Sequence, residues 1–306
     1  MAPNVEIVCD EKLDLGEGPH WDHKGGVLYY VDIFESSVFK YDPSTKKVNR
    51  VVVDKQNKTS VGFVIPVADT NNKFVIGYRN ELAILTWDGI SPDPTNVEVL
   101  VGVEPGTTNR FNDGKADPRG RLWAGTKAKY HPGEPEVRSG ALYSLSKDGK
   151  TVKVHATDIG ISNGLAWSSD FKTFYYIDSF NRAVDAFDYD IDSGETTNRR
   201  TVFDLIKNNV EGFPDGMTID VEDKLWVATF GGSAIHRVDP VTGSLLQSVS
   251  LPAAKITSVA WGGPKLDELY VTSASRFDTE ENRHAGRLFK VTGLGTSGGP
   301  GVPVKL

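Results

Sequence analysis

Two short segments of this 306-residue chain place a carboxylate or donor-rich side chains beside glycine. Glu17 lies between Gly16 and Gly18, and the missing side chains allow a ligand or a neighbouring strand to approach closely. Arg110 offers a planar fork of donors and Asn112 offers both a donor and an acceptor, which suits a hydroxylated ligand with a carbonyl group. The alternatives are a solvated turn at Glu17 and a polar loop with an Asx turn near Asn112.

Asn163 and Asp215 mark two further segments. Asn163 is surrounded by apolar residues, and Asp215 follows Pro214 at the corresponding place in the next stretch of sequence. A buried amide without partners costs about 1–3 kcal/mol, so a metal ion or a substrate is one partner that would satisfy Asn163. The alternatives are an Asn-Gly turn at Asn163 and an N-terminal turn aspartate at Asp215.

Glu17, Asn163 and Asp215 together form a set of three hard oxygen donors. Two carboxylates and one amide oxygen suit Ca²⁺, Mg²⁺ or Mn²⁺ and tolerate Zn²⁺. The six histidines of the sequence form no close pair with zinc-ligand spacing. The sequence therefore predicts one bound divalent cation, provided that the fold brings the three side chains together.

A repeated strand pattern supplies the elements that would do this. An apolar strand with aromatic residues recurs six times, beginning at Leu28, Phe74, Leu122, Phe174, Leu225 and Leu269. The starts are separated by 46, 48, 52, 51 and 44 residues. Clusters of Asp, Gly and Pro flank each copy and indicate hairpins, and a period of about 40–50 residues is typical of propeller blades.

The pattern predicts an all-β fold, a six-bladed β-propeller, as a single domain over residues 1–306. Polar residues at the starts of the innermost strands would then meet at the central channel, although they are far apart in sequence. The alternative is a pair of β-sandwiches without a true repeat, which the near-even spacing argues against.

Composition limits the kinds of partner. A net charge of −7 argues against nucleic acid or an anionic membrane, since both require clustered Lys and Arg. Cys9 is the only cysteine, so no intramolecular disulfide forms, which fits a reducing compartment. No apolar run approaches about 18 residues. We expect a cytoplasmic protein, a monomer or weak dimer, that binds a small molecule.

Several motifs resemble, in order and over essentially the full chain, the regucalcin (senescence marker protein 30), gluconolactonase and luciferin-regenerating-enzyme family. The most specific are GEGP at 16–19, NRFNDGK at 109–115, ISNGL at 161–165 and PDG at 214–216. Residues 87–89 and 302–306 are more similar to the insect members, which include the firefly enzyme.

This resemblance implies a six-bladed propeller that holds one divalent cation through Glu17, Asn163 and Asp215. It implies substrate contacts at Arg110 and Asn112, and it makes Asp215 the general base. One segment departs from the family pattern: residues 125–130 contain no carboxylate where the family often has a glutamate that holds substrate hydroxyls. Lys127 or Tyr130 stands in its place, which leaves the sugar preference open.

We therefore expect a metal-dependent lactonase that opens a sugar lactone to the aldonic acid. The cation would polarise the lactone carbonyl, Asp215 would deprotonate the attacking water, and Arg110 and Asn112 would orient the ring. One alternative is regeneration of a luciferin precursor from oxyluciferin, as the firefly relatives imply. Another is a non-catalytic calcium-binding or scaffold protein, since propellers often serve as interaction platforms.

Overall fold

The computed structural model describes residues 2–129, 136–276 and 282–306. Within these ranges the regular structure consists of 24 strands and one short 3₁₀ helix, Ser179–Asn181. The strands form six antiparallel sheets of four strands each. The predicted six-bladed β-propeller is confirmed, and the six apolar copies found in the sequence are the second strands of the six blades.

The first strand of each blade lines the channel, because these six strands contact one another in sequence around a closed ring. They are β2 (Gly16–Asp22), β6 (Val61–Pro66), β10 (Arg110–Ala116), β14 (Ser162–Trp167), β18 (Phe213–Ile219) and β22 (Ile256–Gly262). The second strands are β3 (Val27–Asp32), β7 (Lys73–Tyr78), β11 (Leu122–Lys127), β15 (Thr173–Asp178), β19 (Leu225–Phe230) and β23 (Glu268–Ser273). We call the end of the channel where the innermost strands begin its upper end, and the other its lower end.

The third and fourth strands form the outer half of each blade. The third strands are β4 (Ser37–Asp42), β8 (Glu81–Thr86), β12 (Gly140–Leu145), β16 (Ala183–Tyr189), β20 (Ala234–Asp239) and β24 (Phe289–Thr292). The fourth strands of blades 1 to 5 are β5 (Lys47–Val52), β9 (Asn96–Gly102), β13 (Val152–Ile159), β17 (Thr196–Asp204) and β21 (Ser244–Ser250). In blade 6 the fourth strand is β1 (Asn4–Ile7), which pairs with β24 so that Asn4 opposes Thr292. The two ends of the chain therefore close the ring together.

The core of the described structure is divided among the spaces between blades. Six clusters of buried apolar residues are present, one for each pair of neighbouring blades. Trp226 and Trp261, for example, meet edge to face between blades 5 and 6, with ring centroids 5.6 Å apart. A blade buries its faces only against its neighbours, so closure of the ring is required for stability.

Each innermost strand has an irregularity near its start. The ladder register shifts between Glu17 and His20, Val61 and Val64, Phe111 and Gly114, Asn163 and Leu165, Pro214 and Met217, and Ile256 and Ser258. Such β-bulges redirect side chains and interrupt pairing. Gly164 is required at one of them, since a Cβ there would lie 2.9 Å from the Asp215 carbonyl oxygen of the next blade.

The C-terminal segment (residues 297–306) runs around the lower end of the channel, past blades 5, 6, 1, 2 and 3. Its backbone hydrogen bonds to these five blades include Val221 N–Ser297 O, Gly298 N–Leu266 O, Gly301 N–Trp21 O, Val304 N–Pro66 O and Lys305 N–Gly120 O. Val304 is buried in the core cluster between blades 2 and 3. Among the described residues, no helix has the length and apolar character needed to cross a bilayer.

Candidate active site

The structure brings four of the predicted residues to the upper end of the channel. Glu17, Asn112, Asn163 and Asp215 all lie in the β-bulges of the innermost strands of blades 1, 3, 4 and 5. Their exposed fractions are only 4–7%. The Asn-Gly pair at Asn163 therefore lies within a strand, and the alternative of a surface turn is wrong at this position.

The two asparagines hold one another in a fixed orientation. Asn112 Nδ2 donates to Asn163 Oδ1 at 3.0 Å and to the Ser162 carbonyl at 2.9 Å. Asn163 Nδ2 in turn donates to Ser179 Oγ at 2.8 Å. Both amide hydrogens of Asn112 are thus occupied, and its Oδ1 is the atom left to face a ligand.

Glu17 and Asp215 form a buried carboxylate pair. Burial raises the pKa of Glu17 well above its ordinary value, and the negative charge of Asp215 raises it further. Burial likewise raises the pKa of Asp215, and the negative charge of Asp113 is the second largest cause of the increase. The backbone N–H of Gly18 donates to Glu17 Oε2 at 3.1 Å and partly offsets this effect. Burial therefore disfavours the charged form of both carboxylates.

Arg110 and Lys127 bring positive charge to the same place. They face each other across neighbouring strands, Arg110 at the start of β10 and Lys127 at the end of β11. Burial lowers the pKa of Arg110 to about 10, although Glu17 and Asp215 oppose the shift. Burial lowers the pKa of Lys127 to about 7, and the positive charge of Arg110 contributes. Arg110 Nη1 donates to the Phe111 carbonyl at 2.9 Å.

A cavity of about 670 Å³ opens above these residues. Glu17, Arg110, Asn112, Asn163 and Asp215 all line it. Three phenylalanines from blades 4 and 5 also line it: Phe180, Phe213 and Phe230. Basic side chains at its edge include Lys58, Arg79, Lys127, Lys129 and Arg276. The volume is within the range of small-molecule sites.

Comparison with known proteins identifies the family. A family described as an SMP-30/Gluconolactonase/LRE-like region matches residues 15–275, which contain every predicted site residue. The chain belongs to this family. The family resemblance inferred from GEGP, NRFNDGK, ISNGL and PDG is thereby confirmed.

Individual relatives agree with the family. Regucalcin of Xenopus laevis is 43% identical over 300 residues, which cover 96% of each chain. Human regucalcin is 42% identical over 304 residues, again with 96% of each chain covered. A luciferin-regenerating enzyme of known structure is 46% identical, with a TM-score of 0.93 over 100% of both chains.

The side chains present fit a divalent cation of the kind expected for this family. Two buried carboxylates with raised pKa values lie beside an amide whose hydrogen bonds fix its orientation, and a hard cation would relieve their repulsion. In the described part of the chain, no group of three or more His, Cys, Asp and Glu side chains has a metal-binding arrangement. The amide oxygen of Asn163 and water would therefore have to complete the ligand set.

Two residues below the site have roles that were not predicted from the sequence. Asp113 is buried, and its charge acts on both Glu17 and Asp215. Lys115 Nζ donates to the Met217 carbonyl at 2.7 Å, and the positive charge of Lys115 acts against the burial that raises the pKa of Asp113. In the sequence, only the nearby opposite charges of Asp113 and Lys115 within NRFNDGK indicate these roles.

Two other predictions concern residues near the site. His20, one of the six histidines without a zinc-ligand partner in the sequence, is buried in the channel wall. Lys127 lines the cavity, whereas Tyr130, the other residue considered for the missing family glutamate, lies outside the described residues.

Proposed function

We propose that the protein hydrolyses a sugar lactone with one divalent cation held by Glu17, Asn163 and Asp215. The observation that carries this proposal is the buried Glu17–Asp215 pair at the floor of an open cavity. Two carboxylates from separate blades, each with a raised pKa, form a site that gains stability from a cation and can also accept a proton. Membership of the family supports the same reaction class.

Asp215 is the proposed general base. Burial raises its pKa and so increases the affinity of its carboxylate for a proton. It takes a proton from the water that adds to the lactone carbonyl carbon. It then returns that proton to the ring oxygen as the carbon–oxygen bond of the ring breaks, which leaves the open-chain hydroxy acid.

Arg110 and Asn112 are the proposed substrate-binding residues. Of the five N–H donors of the Arg110 guanidinium, one is used by the Phe111 carbonyl, and the others are available to ring and carbonyl oxygens. Asn112 Oδ1 accepts from a substrate hydroxyl, because both hydrogens of its amide are already bonded. A bound divalent cation would supply electrophilic polarisation of the carbonyl group.

The decisive experiment is a lactone panel assayed with metal-stripped protein and after addition of Ca²⁺, Zn²⁺, Mg²⁺ or Mn²⁺. We expect hydrolysis of an aldonolactone only with metal present, and loss of that activity in Asp215→Ala with the fold intact. An active Asp215→Ala protein would remove Asp215 from the mechanism. Activity in fully stripped protein would remove the cation.

Two other functions are supported by specific relatives. The 46% identical luciferin-regenerating enzyme supports action on oxyluciferin, so oxyluciferin belongs in the same panel. The regucalcin relatives support a calcium-binding role without catalysis, and a solved structure described as a calcium-binding regucalcin of Agrobacterium tumefaciens shares this fold at 23% identity. Tight calcium binding with no hydrolysis of any lactone would favour that role.

A further inference from the structure

The cavity is basic in an acidic protein. The whole chain carries a net charge of −7, yet the described residues that line the cavity include six cations and two carboxylates. The cations are Lys58, Arg79, Arg110, Lys127, Lys129 and Arg276. A cleft lined by one sign of charge concentrates ligands of the opposite sign.

Some of these cations already have partners. Lys58 Nζ donates to both carboxylate oxygens of Glu35, at 3.1 and 3.0 Å. Arg276 donates to Asp14 and its guanidinium lies 4.1 Å from the centroid of the Phe34 ring. Arg110 lies near Glu17 and Asp215, whose charges act on it. These contacts account for three of the six positive charges.

Arg79, Lys127 and Lys129 all belong to blades 2 and 3. Within the described ranges none of them has a carboxylate at ion-pairing distance, and the one negative charge that acts on Lys127 is that of Asp215. Lys127 in addition faces Arg110 directly across the β10–β11 ladder. Like charges opposite one another on neighbouring strands destabilise a sheet, and an anion placed between them reverses that effect.

The side of the cavity formed by blades 4 and 5 cannot bind an anion in this way, because it is lined by Phe180, Phe213 and Phe230. Among the described lining residues, blades 4 and 5 contribute no cation, whereas the fourth phenylalanine, Phe34 of blade 1, lies against Arg110 and Arg276. An anionic group on a ligand has one favourable position, against blades 2 and 3, while the carbonyl remains over the Glu17–Asp215 pair.

We propose that the substrate carries a second functional group that is anionic, a phosphate or a carboxylate, and that Lys127, Arg79 and Lys129 bind it. This inference rests on the proposed lactone hydrolysis and names the substrate class. The ammonium group of Lys127 favours an anion over a sugar hydroxyl at this place in the cavity.

The test compares three lactones with the calcium-loaded protein: δ-gluconolactone, its 6-phosphate, and glucaro-1,4-lactone, which carries a carboxylate. We expect kcat/KM for at least one anionic lactone to exceed that for δ-gluconolactone by on the order of tenfold. Lys127→Gln and Arg79→Gln should each lower that ratio several-fold. Lys73→Gln is the matched control, since Lys73 lies at the other end of β7 from Arg79 and should leave the ratio unchanged.

A binding measurement separates the two proposals. Calorimetric titration with 6-phosphogluconate, which cannot be hydrolysed further, should show binding that Lys127→Gln weakens about tenfold, with gluconate as the comparison ligand. If no lactone is hydrolysed but this binding is seen, the anion site stands and the lactonase proposal falls. If neutral and anionic lactones are hydrolysed equally and the variants change nothing, the anion site is overturned and the lactonase proposal stands.

Discussion

The two ends of the channel are lined by the same six strands but differ in how their buried charged groups are paired. At the upper end, Glu17 and Asp215 are buried as like charges beneath an open cavity. Further down, Lys115 is bonded to the Met217 carbonyl and paired electrostatically with Asp113. At the lower end Gly301 lies so close to His20 that a Cβ on it would be 2.5 Å from the imidazole ring.

This difference favours the upper end as the place of the proposed reaction. Where charges are matched and covered by the chain, they stabilise the ring and offer nothing to a ligand. Where two carboxylates are buried together beneath a cavity, their pKa values stay raised even with Arg110 nearby, and a bound cation would relieve that cost in stability. The comparison can be tested by substitutions at each end, which should affect activity at the upper end and stability at the lower end.

The largest expected effect is on activity at the upper end. Asp215→Asn removes the proposed base with almost no change in shape, and kcat/KM for the best lactone should fall by about 10³-fold. Asp223→Asn is the control, since Asp223 is a half-buried aspartate in the turn after the same strand, bonded to Ser169 and remote from the cavity lining. Equal activity of the two variants would contradict the role given to Asp215.

At the lower end the main effect should be on stability. Val304→Asp places a carboxylate in the core cluster between blades 2 and 3 and should lower the free energy of unfolding by about 3 kcal/mol. Leu306→Asp, at an exposed position, should change it by no more than about 0.5 kcal/mol. Denaturant unfolding measures both, and kcat of folded Val304→Asp should stay close to that of the parent. A large loss of kcat would show that the two ends are coupled.

Glu17→Gln should raise the stability of metal-stripped protein by about 1–2 kcal/mol. The raised pKa of Glu17 means that its contribution to stability is present below its ordinary pKa and is lost as pH rises, so the gain from Gln should grow with pH. Calcium at 100 times its dissociation constant should stabilise the parent by about 2.7 kcal/mol and the variant much less. Thermal unfolding with and without calcium measures this difference, and equal calcium stabilisation would exclude Glu17 as a ligand.

The last effect concerns acid sensitivity at the lower end. Burial lowers the pKa of His20 to about 3, so the unfolded chain binds a proton at His20 below about pH 6.5 while the folded protein does not. Stability is therefore lost as pH falls from about 6.5 towards 3, by up to about 1.4 kcal/mol per pH unit. His20→Gln should remove this slope between pH 6 and 4, and the exposed His23→Gln should retain it. An unchanged slope in His20→Gln would contradict this account.

Sequence reasoning predicted the fold and most of the upper end. The apolar strand beginning at Leu28 and its five copies identified the second strand of every blade, because local periodicity is enough to mark a strand. Glu17, Arg110, Asn112, Asn163 and Asp215 were predicted from residue type beside glycine and from family motifs, and all of them line the cavity. Their roles, and the single domain over residues 1–306, stay predictions.

Contacts between distant parts of the chain were not predictable. Lys115 and Met217 are bonded across 102 positions of sequence, and no local pattern encodes that pairing. The C-terminal segment follows no strand repeat, since its backbone bonds go to five different blades. The cations of blades 2 and 3 and the phenylalanines of blades 4 and 5 likewise meet around the cavity only when these blades are brought side by side.

The pairing of β1 with β24 has a consequence for how the protein is made. Asn4 is synthesised long before its partner Thr292, since almost all of the propeller lies between them in sequence. During translation the nascent protein therefore exposes an unpaired strand edge and the unfilled face of an incomplete ring, both of which promote aggregation. Slow release or early truncation should be more harmful to this fold than to one whose first strands pair locally.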